Sequence, residues 1–119
     1  MISKEKLDLK RIAAITEAGG VSGGEAPVTR LMKQALEGYA DEFDYDNQGS
    51  LICIKHGSGN GPRVMLSSHT DEVGFIVSKI EQSGLIRVIS MNRWWTHTLL
   101  SQQVRIHTQK GDVPGIFGI

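Results

Sequence analysis

The run Val64-Met65-Leu66-Ser67-Ser68-His69-Thr70-Asp71-Glu72 decides how the chain is read. Three apolar residues in a row suit a short strand covered on both faces by helices. The polar residues after them would lie at the carboxyl end of that strand, where the loops of an α/β sheet open into a crevice. Upstream of this run the hydrophobic period is mainly helical, and downstream it is that of strands and turns.

Upstream, residues 4–18 carry Leu7, Ile12 and Ile15 among charges, with Ser3 as a candidate N-cap and Gly19-Gly20 as a stop. That pattern predicts a first helix. The loop Gly20-Val21-Ser22-Gly23-Gly24 leads into Glu25-Ala26-Pro27, an acid and a proline suited to a first helical turn. Val28, Leu31, Met32, Ala35, Leu36 and Tyr39 recur at three- and four-residue spacing, which predicts a second helix over 25–39. The period then shortens to two. Phe43 and Tyr45 alternate with acids, residues 46–49 read as a turn, and residues 51–54 as a second strand. Residues 56–62, with three glycines and Pro62, form a loop.

Downstream, residues 73–80 and 86–91 flank a turn at 81–84, and residues 103–108 and 113–119 flank another at 109–112. The chain is therefore expected to divide into an α/β part over 1–72 and a β-rich part over 73–119. Ending on the apolar Gly115-Ile116-Phe117-Gly118-Ile119 is unusual for a terminus, and the chain is expected to be a piece of a longer one.

Composition excludes several classes. Thirteen Lys and Arg balance thirteen Asp and Glu in 119 residues, and no basic cluster stands out, which argues against nucleic acid. No window is long and apolar enough to span a membrane, and the N-terminus lacks the apolar core of a signal peptide. The one cysteine, Cys53, cannot form an internal disulfide; it reads as a core thiol in a cytoplasmic protein.

The pair that could carry chemistry is His69 and Asp71. Their i, i+2 spacing puts both side chains on one side of an extended segment. Imidazole is a good ligand for zinc or cobalt, and such a ligand needs an acceptor that fixes its orientation and tautomer, which a carboxylate two residues on can supply. The alternative is a loop histidine beside a solvated aspartate. His56, His97 and His107 read as surface or interface residues. The loop Gly20-Val21-Ser22-Gly23-Gly24 has the letters of Gly-x-Ser-x-Gly, but it follows a predicted helix rather than a strand and reads as a turn, not a nucleophile elbow. No phosphate-binding Gly-Lys-Ser/Thr loop is present. Trp94-Trp95 reads as packing or as a subunit contact.

Several blocks, in order, resemble a known family: 17–23 (Glu-Ala-Gly-Gly-Val-Ser-Gly), Asp46-x-x-Gly49-x-Leu51, 64–75 with its His-x-Asp-Glu-Val-Gly-Phe core, and 104–108 followed by Lys110-Gly111-Asp112-Val113-Pro114-Gly115. They are similar to the start of the co-catalytic metallo-aminopeptidases that include the glutamyl, deblocking and tetrahedral enzymes, sometimes called endoglucanase or cellulase M. The resemblance implies an α/β peptidase domain interrupted by a β-rich dimerisation domain. It implies two divalent ions, zinc or cobalt, that activate water against the first peptide bond of short peptides, and assembly into homo-oligomers. On this resemblance His69 matches a metal ligand and Asp71 the carboxylate that orients it. The family's remaining ligands and its general base lie beyond the inserted domain, so these 119 residues are expected to be inactive alone and to hold no tight metal. The rival expectation is a non-catalytic β-rich module for assembly or regulation.

Overall fold

The structure, a computed structural model, describes residues 8–118. Its elements run α1 (Leu9–Glu17), α2 (Ala26–Leu36), β1 (Glu42–Tyr45), β2 (Leu51–Ile54), β3 (Gly74–Ile80), β4 (Ile86–Met91), a single 3-10 turn (Thr96–Thr98), β5 (Gln103–Ile106) and β6 (Val113–Ile116). The result is a mixture of helices and antiparallel hairpins, divided into two compact units between Glu72 and Val73.

In the first unit, α1 opens on Asp8, whose carboxylate accepts the Arg11 N–H at 3.1 Å. This corrects the expected start: Asp8 caps the described helix, while Ser3 and residues 4–7 lie outside the described residues. An aspartate directly before the first turn satisfies an orphan N–H and favours the helix dipole. Pro27 sits in the first turn of α2, as expected. The helix ends at Leu36, three residues short of the expected Tyr39, because Gly38 turns into the left-handed region at φ +83°. Helix α1 packs on α2, and α2 packs on β2.

Strands β1 and β2 pair antiparallel from Glu42↔Ile54 to Tyr45↔Leu51, as the alternation predicts. Their turn is built by Asp46, whose Oδ1 accepts N–H bonds from Gln48 and Ser50 at 2.9 and 2.8 Å, with Gly49 at φ +88°. Lys33 of α2 lies over the rings of Phe43 and Tyr45, so a cation–π contact joins helix to hairpin. Cys53 is half-buried and free, not a core thiol.

The expected strand at Val64-Met65-Leu66 is not formed. These residues form no regular secondary structure, and Leu66 is 95 % exposed. No described strand lies beside them to take up their N–H and C=O groups, and a lone apolar run cannot become a strand without a partner. Val28, 5 % exposed, is the one apolar residue classed as buried among those described.

The second unit holds two hairpins. Strands β3 and β4 pair from Gly74↔Met91 to Ile80↔Ile86, with a bulge between Val77 and Lys79. Strands β5 and β6 pair from Gln103↔Ile116 to Ile106↔Val113. Both turns occur where the sequence places them, with Gly84 and Gly111 at positive φ. Phe75 stacks on Trp94 at 5.1 Å and meets Phe117 edge-on at 4.8 Å. The adjacent tryptophans differ: Trp94 also donates its Nε1–H to the Gly74 carbonyl at 3.3 Å, whereas Trp95 is 74 % exposed.

Asp41, just before β1, accepts from Lys55 Nζ at 2.6 Å and from the His56 N–H at 2.7 Å. The Lys55 hydrogen bond, then the His56 N–H, hold this carboxyl below its ordinary value of 3.8. A depressed folded-state pKa means the contact stabilises the fold above 3.8 and loses that contribution as pH falls through the folded value. A carboxyl-detected NMR titration should find Asp41 among the last aspartates to protonate, and Asp41→Asn should flatten the acid limb of the stability curve. An Asp41 that titrates at or above 3.8 contradicts the assignment.

Candidate functional site

The loop between α1 and α2 and the segment 68–72 are tied together by backbone pairing. Val21 and Glu72 form a parallel bridge. The Glu72 N–H donates to the Gly20 carbonyl at 2.8 Å, and the Gly20 N–H donates to the Glu72 carboxylate at 3.1 Å. This approach needs a glycine at position 20. A Cβ there would lie 2.6 Å from Val28 Cγ2 and 3.3 Å from the Thr70 carbonyl.

The clamp carries the candidate residues. His69 Nδ1 lies 2.9 Å from Asp71 Oδ1 and 3.0 Å from the Asp71 carbonyl. Two acceptors on one ring nitrogen select the tautomer with the proton on Nδ1 and leave the Nε2 lone pair available. The ring is 84 % exposed. Asp71 Oδ2 accepts from the Ser22 hydroxyl at 2.6 Å. That hydroxyl, ahead of His69, holds the Asp71 carboxyl below the usual carboxylate range, against the opposing effect of partial burial. The sequence pattern thus brings His69 and Asp71 into contact as read.

Two partners were not singled out from the sequence. Ser22 reads there as part of a glycine turn, and Glu72 as one letter of a block. Their signal was available only as the order of the blocks, since each bond spans about fifty residues, 49 for Ser22–Asp71 and 52 for Gly20–Glu72. An open hollow of about 390 Å³ adjoins His69, lined also by Ile15, Met32, Val28 and Glu72 among others.

The other histidines are paired elsewhere or lie apart. His56 contacts Glu42 at 2.5 Å, His107 contacts Asp112 at 2.8 Å, and His97 lies in the 3-10 turn. Among the described residues no three His, Cys, Asp or Glu come together as a metal-binding group. The donor chemistry therefore fits one ligand position: a neutral imidazole with Nε2 presented and Nδ1 fixed by a carboxylate.

The family model for M42 glutamyl aminopeptidases matches residues 49–119. The chain belongs to this family. It is 33 % identical over 114 residues to the lysyl aminopeptidase of Pyrococcus furiosus, covering 95 % of this chain and 32 % of that protein. It is 31 % identical over 110 residues to the glutamyl aminopeptidase of Lactococcus lactis subsp. cremoris, covering 91 % of this chain and 31 % of that protein. Among solved structures, the TET aminopeptidase of a marine sediment archaeon, Thaumarchaeota archaeon SCGC AB-539-E09, matches with a TM-score of 0.84 and 41 % identity, over 90 % of this chain and 30 % of that one. The chain spans about a third of the length of the curated relatives it matches. The family is one of peptidases, and the chain is homologous to part of these enzymes.

Gly20→Ala should destabilise the first unit by an overpacking cost of about 1–3 kcal/mol, read as a lower urea midpoint. Its NMR spectrum should show the largest shifts at Val28, Thr70 and Glu72. A fully tolerated alanine would mean that the clamp is looser than its distances indicate.

Proposed function

We propose that the chain contributes to an aminopeptidase that removes N-terminal residues from short peptides, with His69 as a metal ligand and Asp71 as the carboxylate that orients it. The observation that carries this reading is the Asp71–His69 contact, which holds Nδ1–H and presents Nε2. It occurs in a chain of the M42 family. Polarising the scissile carbonyl and activating water are the chemistry that two divalent ions, zinc or cobalt, supply when bound. The contribution of these residues is positional. His69 presents one neutral nitrogen, Asp71 keeps the ring from turning, and the clamp at Gly20 and Glu72 fixes both to the helical layer.

One imidazole does not make a catalytic metal site, which takes about three protein ligands. We therefore propose that the remaining ligands and the general base come from outside these 119 residues, and that the 119 residues alone are inactive and hold no tight metal. A cytoplasmic setting fits the free thiol of Cys53.

A second role, in assembly, is favoured by the 73–118 segment. Ile76 and Ile89 face each other across β3 and β4, and both are exposed, as are Ile116 and Trp95. Each of its two hairpins is a two-stranded sheet to which no third described strand is added. Pairing with a second copy of the chain would cover both the apolar side chains and the edges.

Three measurements test these proposals. In the metal-loaded active enzyme, His69→Ala should abolish peptide hydrolysis, and Asp71→Asn should cost about 10–100-fold in metal affinity or rate. Unchanged zinc affinity and turnover in Asp71→Asn would sink the site assignment. The 119-residue chain, dialysed and analysed for metals, should contain far less than one ion per molecule; a stoichiometric ion refutes that part. Sedimentation of the same chain should show a dimer or larger species that Ile76→Lys with Ile89→Lys dissociates. A clean wild-type monomer at micromolar concentration would refute the assembly role.

A further inference from the structure

We infer that Ser22 is a positioning residue for the His69 imidazole and acts through Asp71. The inference rests on the proposed ligand role of His69 and extends it by one residue.

The geometry needs such a group. His69 and Asp71 are two residues apart in the same loop, and the ring is largely in water. The Asp71 carbonyl, in the peptide whose N–H is held by Gly20, is one fixed acceptor for Nδ1 at 3.0 Å. The Asp71 carboxylate, within that pair, is bonded only to the ring it orients and could turn with it. Ser22 supplies the external reference. Its hydroxyl takes Asp71 Oδ2 at 2.6 Å while Oδ1 remains on His69 Nδ1 at 2.9 Å. With both oxygens engaged from different sides, the carboxylate plane is fixed, and the imidazole with it.

Ser22 can serve as a reference because its own backbone is held. Val21 is bridged to Glu72 on one side. On the other, the Gly24 N–H donates to the Val21 carbonyl at 2.7 Å, and the Gly23 N–H donates to the Glu25 carboxylate at 2.8 Å. Gly23 itself turns at φ +86°. The serine thus stands at the tip of a closed turn that leads into α2. The residue type suits the task. An ionised carboxylate accepts only, so the group facing its second oxygen must donate, and a hydroxyl does so without adding charge.

The test reads the tautomer of His69 by ¹⁵N NMR in the metal-free 119-residue chain, at a pH where the ring is neutral. Wild type and Ser22→Thr, which keeps the hydroxyl, should show an excess of the Nδ1–H form. Ser22→Ala should move the Nδ1–H to Nε2–H ratio by about threefold or more, the scale of one modest hydrogen bond. Val28→Ala, which weakens the packing without touching Asp71, should destabilise the chain yet leave the ratio unchanged. If the alanine variant does not fold, Ser22→Thr against Ser22→Val replaces it, since the two side chains share a shape and differ in the hydroxyl.

An unchanged ratio in the hydroxyl-free variant overturns the inference. So does an equal shift in Val28→Ala, which would make Ser22 merely structural. A wild-type His69 with no Nδ1–H excess overturns it without any variant. Excess zinc added to the wild-type chain tests the ligand role separately. If the zinc-induced shift is not centred on Nε2 while the tautomer results stand, the ligand reading fails and the positioning by Ser22 survives.

Discussion

The close approach of Gly20 to Glu72 is the constraint on which the rest of the first unit depends. Glu72 donates its N–H to the Gly20 carbonyl and accepts the Gly20 N–H on its carboxylate, across a gap where a Cβ at position 20 would press on Val28. That contact holds the helix-connecting loop against residues 70–72. Ser22 is thereby brought to Asp71, and Asp71 to His69. Each step is a bond of ordinary strength. Their value lies in sequence: a rigid backbone contact fixes a hydroxyl, the hydroxyl fixes a carboxylate, and the carboxylate fixes a ring.

The distribution of apolar residues gives the opposite impression elsewhere. Val64, Met65 and Leu66 are exposed, and so are Ile76, Ile80 and Ile89 on the β3–β4 hairpin. A two-stranded hairpin is marginal by itself in water, and three of them make up all the sheet structure described. The hydrophobic effect favours covering these side chains, at about 25 cal/mol for each Å² removed from water. The chain therefore carries apolar faces suited to surfaces that its own described residues do not provide.

Local signals were legible in the sequence and distant ones were not. The alternation at Phe43 and Tyr45, the turn at Asp46–Gly49 and the residues of β2 and β4 all read correctly, because hairpin register is set by turn chemistry and a period of two. The end of α2 was misplaced because the periodic Tyr39 outweighed Gly38, whose left-handed conformation stops the helix. Val64-Met65-Leu66 misled for a different reason. An apolar run reports that burial is favourable, not that a neighbour is present. At the site, the spacing of His69 and Asp71 was enough to suggest their contact. Ser22 could not be found that way, since no local pattern marks a serine whose partner is 49 residues distant.

The contrast between hairpins and clamp also sets an order of events for the folding chain. The turns at Gly49, Gly84 and Gly111 join strands that are neighbours in sequence, so those ribbons can zip within microseconds of collapse. Joining Gly20 to Glu72 instead closes a loop of 52 residues, whose length alone carries an entropic cost of about 3.5 kcal/mol. That closure gains little until α1, α2 and the first hairpin have already shortened the path. The geometry around His69 is thus a late product of folding, and a nascent chain carries its imidazole unaligned until nearly everything else in the unit is in place.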